Sequence, residues 1–341
     1  GEKKRSGKCS GIIWRRPDKH VRTVEDHKRM KKELLKVDKL SVNYGKAAIL
    51  RSVSVTVNSG KIIGIVGESG SGKSTLIYSA LGILGRGGRI TDGTILYDGI
   101  DLQKISKEEF RRLRGQRLSL IAQDPMQSFH PVRKIRKELQ ELVKAHEGIS
   151  VKEAENEMVH YMEKFHLHDP RSILDKYAFE LSGGMCQRTS IAMAMVLRPQ
   201  ILFADEPTSA LDVTVQKQVV EEMMRLREED GTTIVMVSHN MGVISYMSDE
   251  IYVMLVGYIV EYGSRNAVMN HTIHPYSKDM IDVIPKMGRP APRKVRNEPI
   301  NKSGKGCPYC YNCVYKTQRC EEEIPDIREI EPEHFVRCWN V

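Results

Sequence analysis

The sequence predicts an α/β protein built around a mostly parallel sheet, and three observations carry that prediction. Continuous apolar runs at 62-IIGIV-66, 118-LSLIA-122, 201-ILFA-204 and 234-IVMV-237 have the texture of strands covered on both faces. Helical patterns separate these runs, as parallel crossovers require. The first run ends in a glycine-rich loop that leads into a helical stretch, 67-GESGSGKSTL-76.

Taken in order, 37-VDKLSVNYG-45 and 53-VSVTV-57 alternate apolar with polar residues at period two, so a short antiparallel β unit opens the fold. Between about 135 and 195, charged and apolar residues interleave at helical spacing in 136-RKELQELVKAHEG-148 and 151-VKEAENEMVHYMEKFHL-167, predicting an inserted helical region. Past 285 the texture turns to Pro, Gly, Lys and Arg in 285-PKMGRPAPRKVRNEPINKSGKG-306, which reads as a linker or extended arm. Five of the seven cysteines then fall between 307 and 338, predicting a small terminal module. No internal repeat is visible.

Composition narrows the class. At 341 residues, with 40% hydrophobic and 28% charged, the chain is an ordinary globular sequence of about two domains. Its longest apolar stretches, 191-IAMAMVL-197 and 251-IYVMLV-256, fall short of the roughly 18 to 20 residues of a membrane span. With no readable leader or lipid-anchor pattern, the expectation is a cytosolic chain, and the lack of a leading Met suggests a trimmed or incomplete start. The net charge of +9 is nearly all local: residues 1–36 carry thirteen Lys or Arg against five acids. Such a block could touch anionic lipid, RNA or an acidic partner, but blocks of this kind are usually a solvated extension, and no nucleic-acid partner is expected for the chain.

Residues Gly67 to Ser74 fit G-x-x-x-x-G-K-[ST], between a buried strand and a helix start. Gly67, Gly70 and Gly72, with Ser69 between them, let successive backbone N–H groups turn inward as an anion nest, and the helix beginning at Thr75 adds its positive end. Lys73 is expected to reach β and γ phosphates and Ser74 to bind Mg²⁺. The second part is 201-ILFADEP-207, an apolar strand delivering Asp205 and Glu206 at its C-terminal end, where open α/β sheets bind ligands. Asp205 is assigned to Mg²⁺ and Glu206 to orienting or deprotonating the attacking water.

Residues 181 to 188, Leu-Ser-Gly-Gly-Met-Cys-Gln-Arg, resemble the signature motif of ATP-binding cassette (ABC) ATPases, and 208-TSALD-212 looks like their D-loop, ending in Asp212. The order and spacing from 37 to about 270 resemble that family's nucleotide-binding domain, with the helical subdomain at about 124–195 and a C-terminal extension over 271–341. The resemblance implies a P-loop NTPase fold of the ABC type. It also implies adenine stacking by Tyr44, a Q-loop at Gln123 that joins the Mg²⁺ ligands, and a switch histidine at His239. Ser182, Gly183, Gly184 and Gln187 are then the signature that meets ATP held by a second cassette. One chain has one copy of each motif, so half of an ATP-sandwiched dimer is implied.

The segment 123-QDPMQSFHPV-132 and the His-Pro-Tyr stretch 274-HPYSKDMIDVIP-285 resemble the peptide/nickel importer ATPases of this family. Two membrane permeases, a partner ATPase different from this chain, and an extracytoplasmic binding protein are implied, with the chain at the cytoplasmic face of the membrane. Di- or oligopeptides are the expected cargo; a nickel chelate or other solute is the alternative within the family, and a soluble non-transport cassette ATPase the alternative outside it. Cys186 and 128-SFHP-131 depart from the commoner family residues and leave the substrate subgroup open.

On spacing alone, Cys307, Cys310, Cys313, Cys320 and Cys338 suit either an iron–sulfur cluster or Zn²⁺ in a reducing compartment. The importer resemblance places the family's cysteine motif on Cys307, Cys313, Cys320 and Cys338, and implies a [4Fe-4S] cluster with Cys310 as a fifth thiol.

Overall fold

The computed structural model describes residues 32–146, 148–209, 211–284 and 298–341. The basic stretch therefore lies outside the described residues up to position 31, as does the linker over 285–297. Lys32 pairs with Asp98 at 2.8 Å, and the chain enters its first strand at Glu33, four residues before the expected start of the cassette.

The first half runs β1 (Glu33–Tyr44), β2 (Ala47–Asn58), β3 (Ile62–Val66), α1 (Lys73–Ala80), β4 (Gly88–Tyr97), β5 (Ile100–Asp101), α2 (Lys107–Gln116) and β6 (Leu118–Ile121). The helical region follows as α3 (Ile135–Ala145), α4 (Val151–Lys164), α5 (Pro170–Leu174) and α6 (Gly183–Met195). Then come β7 (Ile201–Asp205), α7 (Val213–Asp230), β8 (Thr233–Ser238), α8 (Met241–Met247), β9 (Glu250–Leu255), β10 (Tyr258–Ser264), α9 (Arg265–Asn270) and α10 (Pro275–Asp282). The C-terminal part adds α11 (Gln318–Glu322), β11 (Arg328–Glu331) and β12 (His334–Val336). Among the described residues no helix is long and apolar enough to cross a membrane.

Two sheets result. One is antiparallel, in the order β2-β1-β4-β5. The other has the order β11-β12-β10-β9-β3-β8-β7-β6, with β9, β3, β8, β7 and β6 parallel. The continuous apolar runs have a direct cause. In β3, Ile62 and Val66 join a core shared with the helical region, whereas Ile63 and Ile65 join a second core shared with β1, β2 and α1. Both faces of the strand are dry, so polar alternation would bury unpaired groups.

Local signals set the helix starts. Ser106 with Glu109 and Ser150 with Glu153 form reciprocal capping boxes at α2 and α4, and the Asp212 carboxylate accepts from the amides of Thr214 and Val215 to start α7.

The C-terminal cysteine region is not set apart as a free-standing unit. β12 pairs antiparallel with β10, Glu261 facing Val336, so this region extends the central sheet. A buried polar contact locks the join: His334 Nε2 lies 2.8 Å from Glu261 Oε1, with both side chains fully buried. Glu261 also accepts from the amides of Ile273 and His274, at 2.9 and 3.1 Å. Three partners satisfy a carboxylate that burial alone would exclude.

Candidate nucleotide site

The loop after β3 is shaped by its glycines. Gly70 and Gly72 take φ of +78° and +105°, conformations that side chains rarely adopt, and a Cβ on Gly67 would lie 2.1 Å from the Met254 carbonyl oxygen. Gly72 is the N-cap of α1, so the helix opens on the loop and its free amides face the concavity. Ser69 and Gly70 are exposed on the rim, and Thr75 is half-buried in the first turn of α1.

Lys73 is buried, and its ammonium donates to the carbonyl oxygens of Gly67 and Glu68 at 2.8 and 2.9 Å. Burial pulls its pKa below the ordinary lysine value, against the opposing pull of Glu206, Asp205 and Glu68. The Ser74 hydroxyl donates to Asp205 Oδ1 at 2.8 Å. Asp205 is only 1% exposed, and its Oδ2 has no hydrogen-bond partner. An orphaned carboxylate oxygen beside a serine hydroxyl is a donor set suited to a hard divalent cation such as Mg²⁺.

Glu206 follows at the end of β7 with φ of +47°, a left-handed conformation costly for this residue. The turn aims its carboxylate between two partners: Oε1 is 3.8 Å from Lys73 Nζ and Oε2 is 3.0 Å from His239 Nδ1. His239 is exposed just beyond β8. Parallel pairing of β3, β7 and β8 thus delivers Lys73, Asp205, Glu206 and His239 to one edge of the sheet. A carboxylate held there as a proton acceptor, beside a phosphate nest, can activate water for attack on a phosphoryl group.

The remaining expected residues are distributed around this centre. Tyr44 closes β1, and its hydroxyl accepts from the Gly85 amide at 3.3 Å. Gln123 is exposed beyond β6. The Ser182 side chain caps α6 by accepting from the Met185 amide, and a Cβ on Gly183 would meet nothing within 4 Å, so this helix start presents open backbone. Gly184 is closed in by Val215 of α7, whose cap is Asp212. Gln187, one turn further along α6, is 1% exposed and buried within the protein. Arg188 ties α6 to α7, with its Nε donating to Glu222 at 3.0 Å and its other nitrogen to Gln218 at 2.6 Å.

Two tyrosines near the centre are given no role by the nucleotide motifs. Tyr78 on α1 lies beside Asp205; burial raises its pKa, and the carboxylate raises it further. The Tyr276 hydroxyl accepts the Glu68 amide of the phosphate loop at 3.1 Å. Tyr78 has a local signal, lying four residues after Ser74 on the same helix. Tyr276 has none beyond its place in the His-Pro-Tyr stretch.

Cys307, Cys310, Cys313, Cys320 and Cys338 all line one small enclosed cavity, with His274, Tyr309 and Trp339. All are free thiols, and burial pushes Cys307 up to about 12. Among the described residues, no three His, Cys, Asp or Glu side chains are gathered tightly enough to hold a single metal ion.

Comparison with known proteins shows the family. The ABC transporter family matches residues 50–209, and the oligopeptide/dipeptide transporter C-terminal region matches 260–320. The oligopeptide transport ATP-binding protein OppD of Haemophilus influenzae is 35% identical over 314 residues, covering 90% of this chain and 97% of that protein. The dipeptide transport ATP-binding protein DppD of Escherichia coli is 36% identical, covering 89% of this chain and 96% of its own. Among solved structures, the dimeric ATP-binding cassette MJ0796 in a post-hydrolysis state with ADP and Pi shares the fold. It gives a TM-score of 0.60 at 24% identity, covering 68% of this chain and 99% of that one. The strand-end site and the matched C-terminal region lead to one conclusion: the chain belongs to the ABC ATPases, in the oligopeptide/dipeptide transporter branch.

Proposed function

We propose that this chain is the ATP-hydrolysing motor subunit of a peptide importer. The observation that carries the reading is the convergence of Lys73, Ser74, Asp205, Glu206 and His239 at one sheet edge. In this reading the loop amides and Lys73 hold the β and γ phosphates, and Tyr44 stacks on adenine. Glu206 accepts the proton of the attacking water, and His239 orients the Glu206 carboxylate through the 3.0 Å contact. Ser74, Asp205 and Gln123 would hold Mg²⁺, which when bound neutralises charge developing on the phosphates. Two cassettes close on ATP, each lending the Ser182–Gly184 helix start to the other's γ phosphate, with Asp212 at the shared boundary. Gln187 then acts from inside the protein, supporting this helix.

The cassette spans 37–270 with its helical subdomain at about 124–195. It works at the cytoplasmic face of the membrane with a second, different ATPase subunit, two permeases and an extracytoplasmic binding protein. An open groove between β6 and the helical region, lined by Leu120, Phe129, Leu142, Met193 and Leu197, supports docking of a permease helix there. The names of the curated relatives support peptide cargo. The discriminating measurement is uptake by proteoliposomes holding this chain with its partner ATPase, its two permeases and the binding protein. Peptide-stimulated ATPase activity with peptide accumulation is expected. Coupling to a nickel chelate instead, or copurification with nucleic acid in place of permeases, would sink the peptide reading.

The C-terminal extension, 271–341, forms a cysteine module over 307–338 that would hold a [4Fe-4S] cluster through Cys307, Cys313, Cys320 and Cys338. What supports this reading is that the four cysteines line one cavity, where Cys338 Sγ receives the Asn340 amide at 3.5 Å. Zn²⁺ held by the same thiolates is the alternative. A cluster here would pin the extension to the sheet. Anaerobically purified protein is expected to contain about four irons and four acid-labile sulfides per chain; one zinc without iron would reverse the assignment.

A further inference from the structure

The phosphate loop is gripped from a direction the nucleotide motifs do not account for. The peptide at Glu68 is held on its carbonyl side by Lys73 and on its N–H side by the Tyr276 hydroxyl, 3.1 Å away and 208 positions along the chain. Tyr276 itself is almost fully buried.

The surroundings of that tyrosine belong to the C-terminal region and to the joint that anchors it. Its backbone amide donates to His274 Nδ1 at 3.1 Å, so His274 caps α10, with Pro275 in the first turn. The His274 imidazole is neutral, as that acceptor role requires, because complete burial drives its pKa down to about 3. The amides of Ile273 and His274 are in turn fixed by Glu261, which His334 of β12 holds from the far side. Against the face of Tyr276 stands Tyr309, edge-on with ring centroids 5.4 Å apart. Tyr309 sits between Cys307 and Cys310 in sequence, lines the cysteine cavity, and donates from its hydroxyl to Asp279 on α10. An unbroken series of contacts therefore runs from the cysteine cavity through Tyr309 and Tyr276 to the Glu68 amide.

We infer that Tyr276 is a positioning residue of the nucleotide site, through which the Tyr309 end of the cysteine segment sets the conformation of the phosphate loop. The inference rests on the nucleotide-site reading and adds to it a second determinant of ATP affinity. Each member of the His-Pro-Tyr stretch then has a physical role, since the histidine caps, the proline starts the helix, and the tyrosine reaches the loop. Coupling of this kind is reciprocal, so nucleotide binding must also be felt at the cysteine segment.

The test uses the purified full chain with a fluorescent ATP analogue for binding, its complex with the partner ATPase and permeases for turnover, and the variants Tyr276→Phe, Tyr309→Phe and their double. Loss of one hydrogen bond to the loop should weaken analogue binding roughly two- to tenfold and raise KM for ATP with kcat held. Tyr309→Phe should do so more weakly, and the double variant should lose no more than Tyr276→Phe alone, as a shared path requires. Amide exchange over residues 307–313 should change when the wild type is saturated with analogue and should no longer change in saturated Tyr276→Phe. A merely structural tyrosine would lower the active fraction, and with it kcat, at constant KM and would leave the exchange response intact. Unchanged affinity in Tyr276→Phe, additive losses, or an exchange response that survives the substitution would each overturn the inference. Lys73→Ala separates the two readings: if that variant binds the analogue as well as wild type, the nucleotide site itself is misassigned.

Discussion

Replacing Glu206 with Gln is expected to lower kcat by about 10²- to 10⁴-fold while ATP stays bound. The amide has the size of the carboxylate and still offers an oxygen to His239, which lies 3.0 Å away in the wild type. What it lacks is the ability to take a proton. Lys73 and the loop amides do not depend on that ability, so affinity for ATP survives and the closed dimer accumulates. Single-turnover hydrolysis by rapid quench, with size-exclusion chromatography in ATP, checks both halves. Hydrolysis within a few fold of wild type would remove Glu206 from its assigned role.

Lys73→Ala is expected to act earlier in the cycle. Hydrogen bonds to charged groups contribute about 1.5 to 3 kcal/mol each, so losing contacts to two phosphates should weaken ATP about 10²-fold or more. The loss should be larger for ATP than for ADP, because only ATP presents a γ phosphate. Calorimetric titration of both nucleotides tests this difference, and equal losses would show that the lysine reaches no further than the β phosphate. The fold should tolerate the change, although the Gly67 and Glu68 carbonyls lose their donor.

The two residues illustrate what a linear reading captures. The phosphate loop is legible because its determinants are local: glycines at positive φ, a lysine and a serine at fixed offsets, and a helix beginning at that lysine. The core strands are legible because burial on both faces writes an unbroken apolar run. β4 is not, since 88-GRITDGTILY-97 mixes charge and glycine and pairs with β1 across one half-exposed sheet. The β9–β10 hairpin shows only as an apolar run, with nothing to tell a strand from a buried helix segment. The signature glutamine is recognisable by motif, and only the packing of α6 in the folded chain reveals that it is buried.

The order of motifs and membership of the cassette family were determined by the sequence alone, and the roles proposed for Asp205 and Glu206 were already readable there, because each depends on residues close together in the chain. The sealing of the cysteine region onto β10, the Glu261–His334 contact and the reach of Tyr276 to the phosphate loop were decided only by the tertiary structure. Their partners stand 73 and 208 positions apart, and a pairing at that distance leaves no periodicity in either segment. It becomes visible only when the sheet brings its strands together and burial obliges each polar group to find a partner.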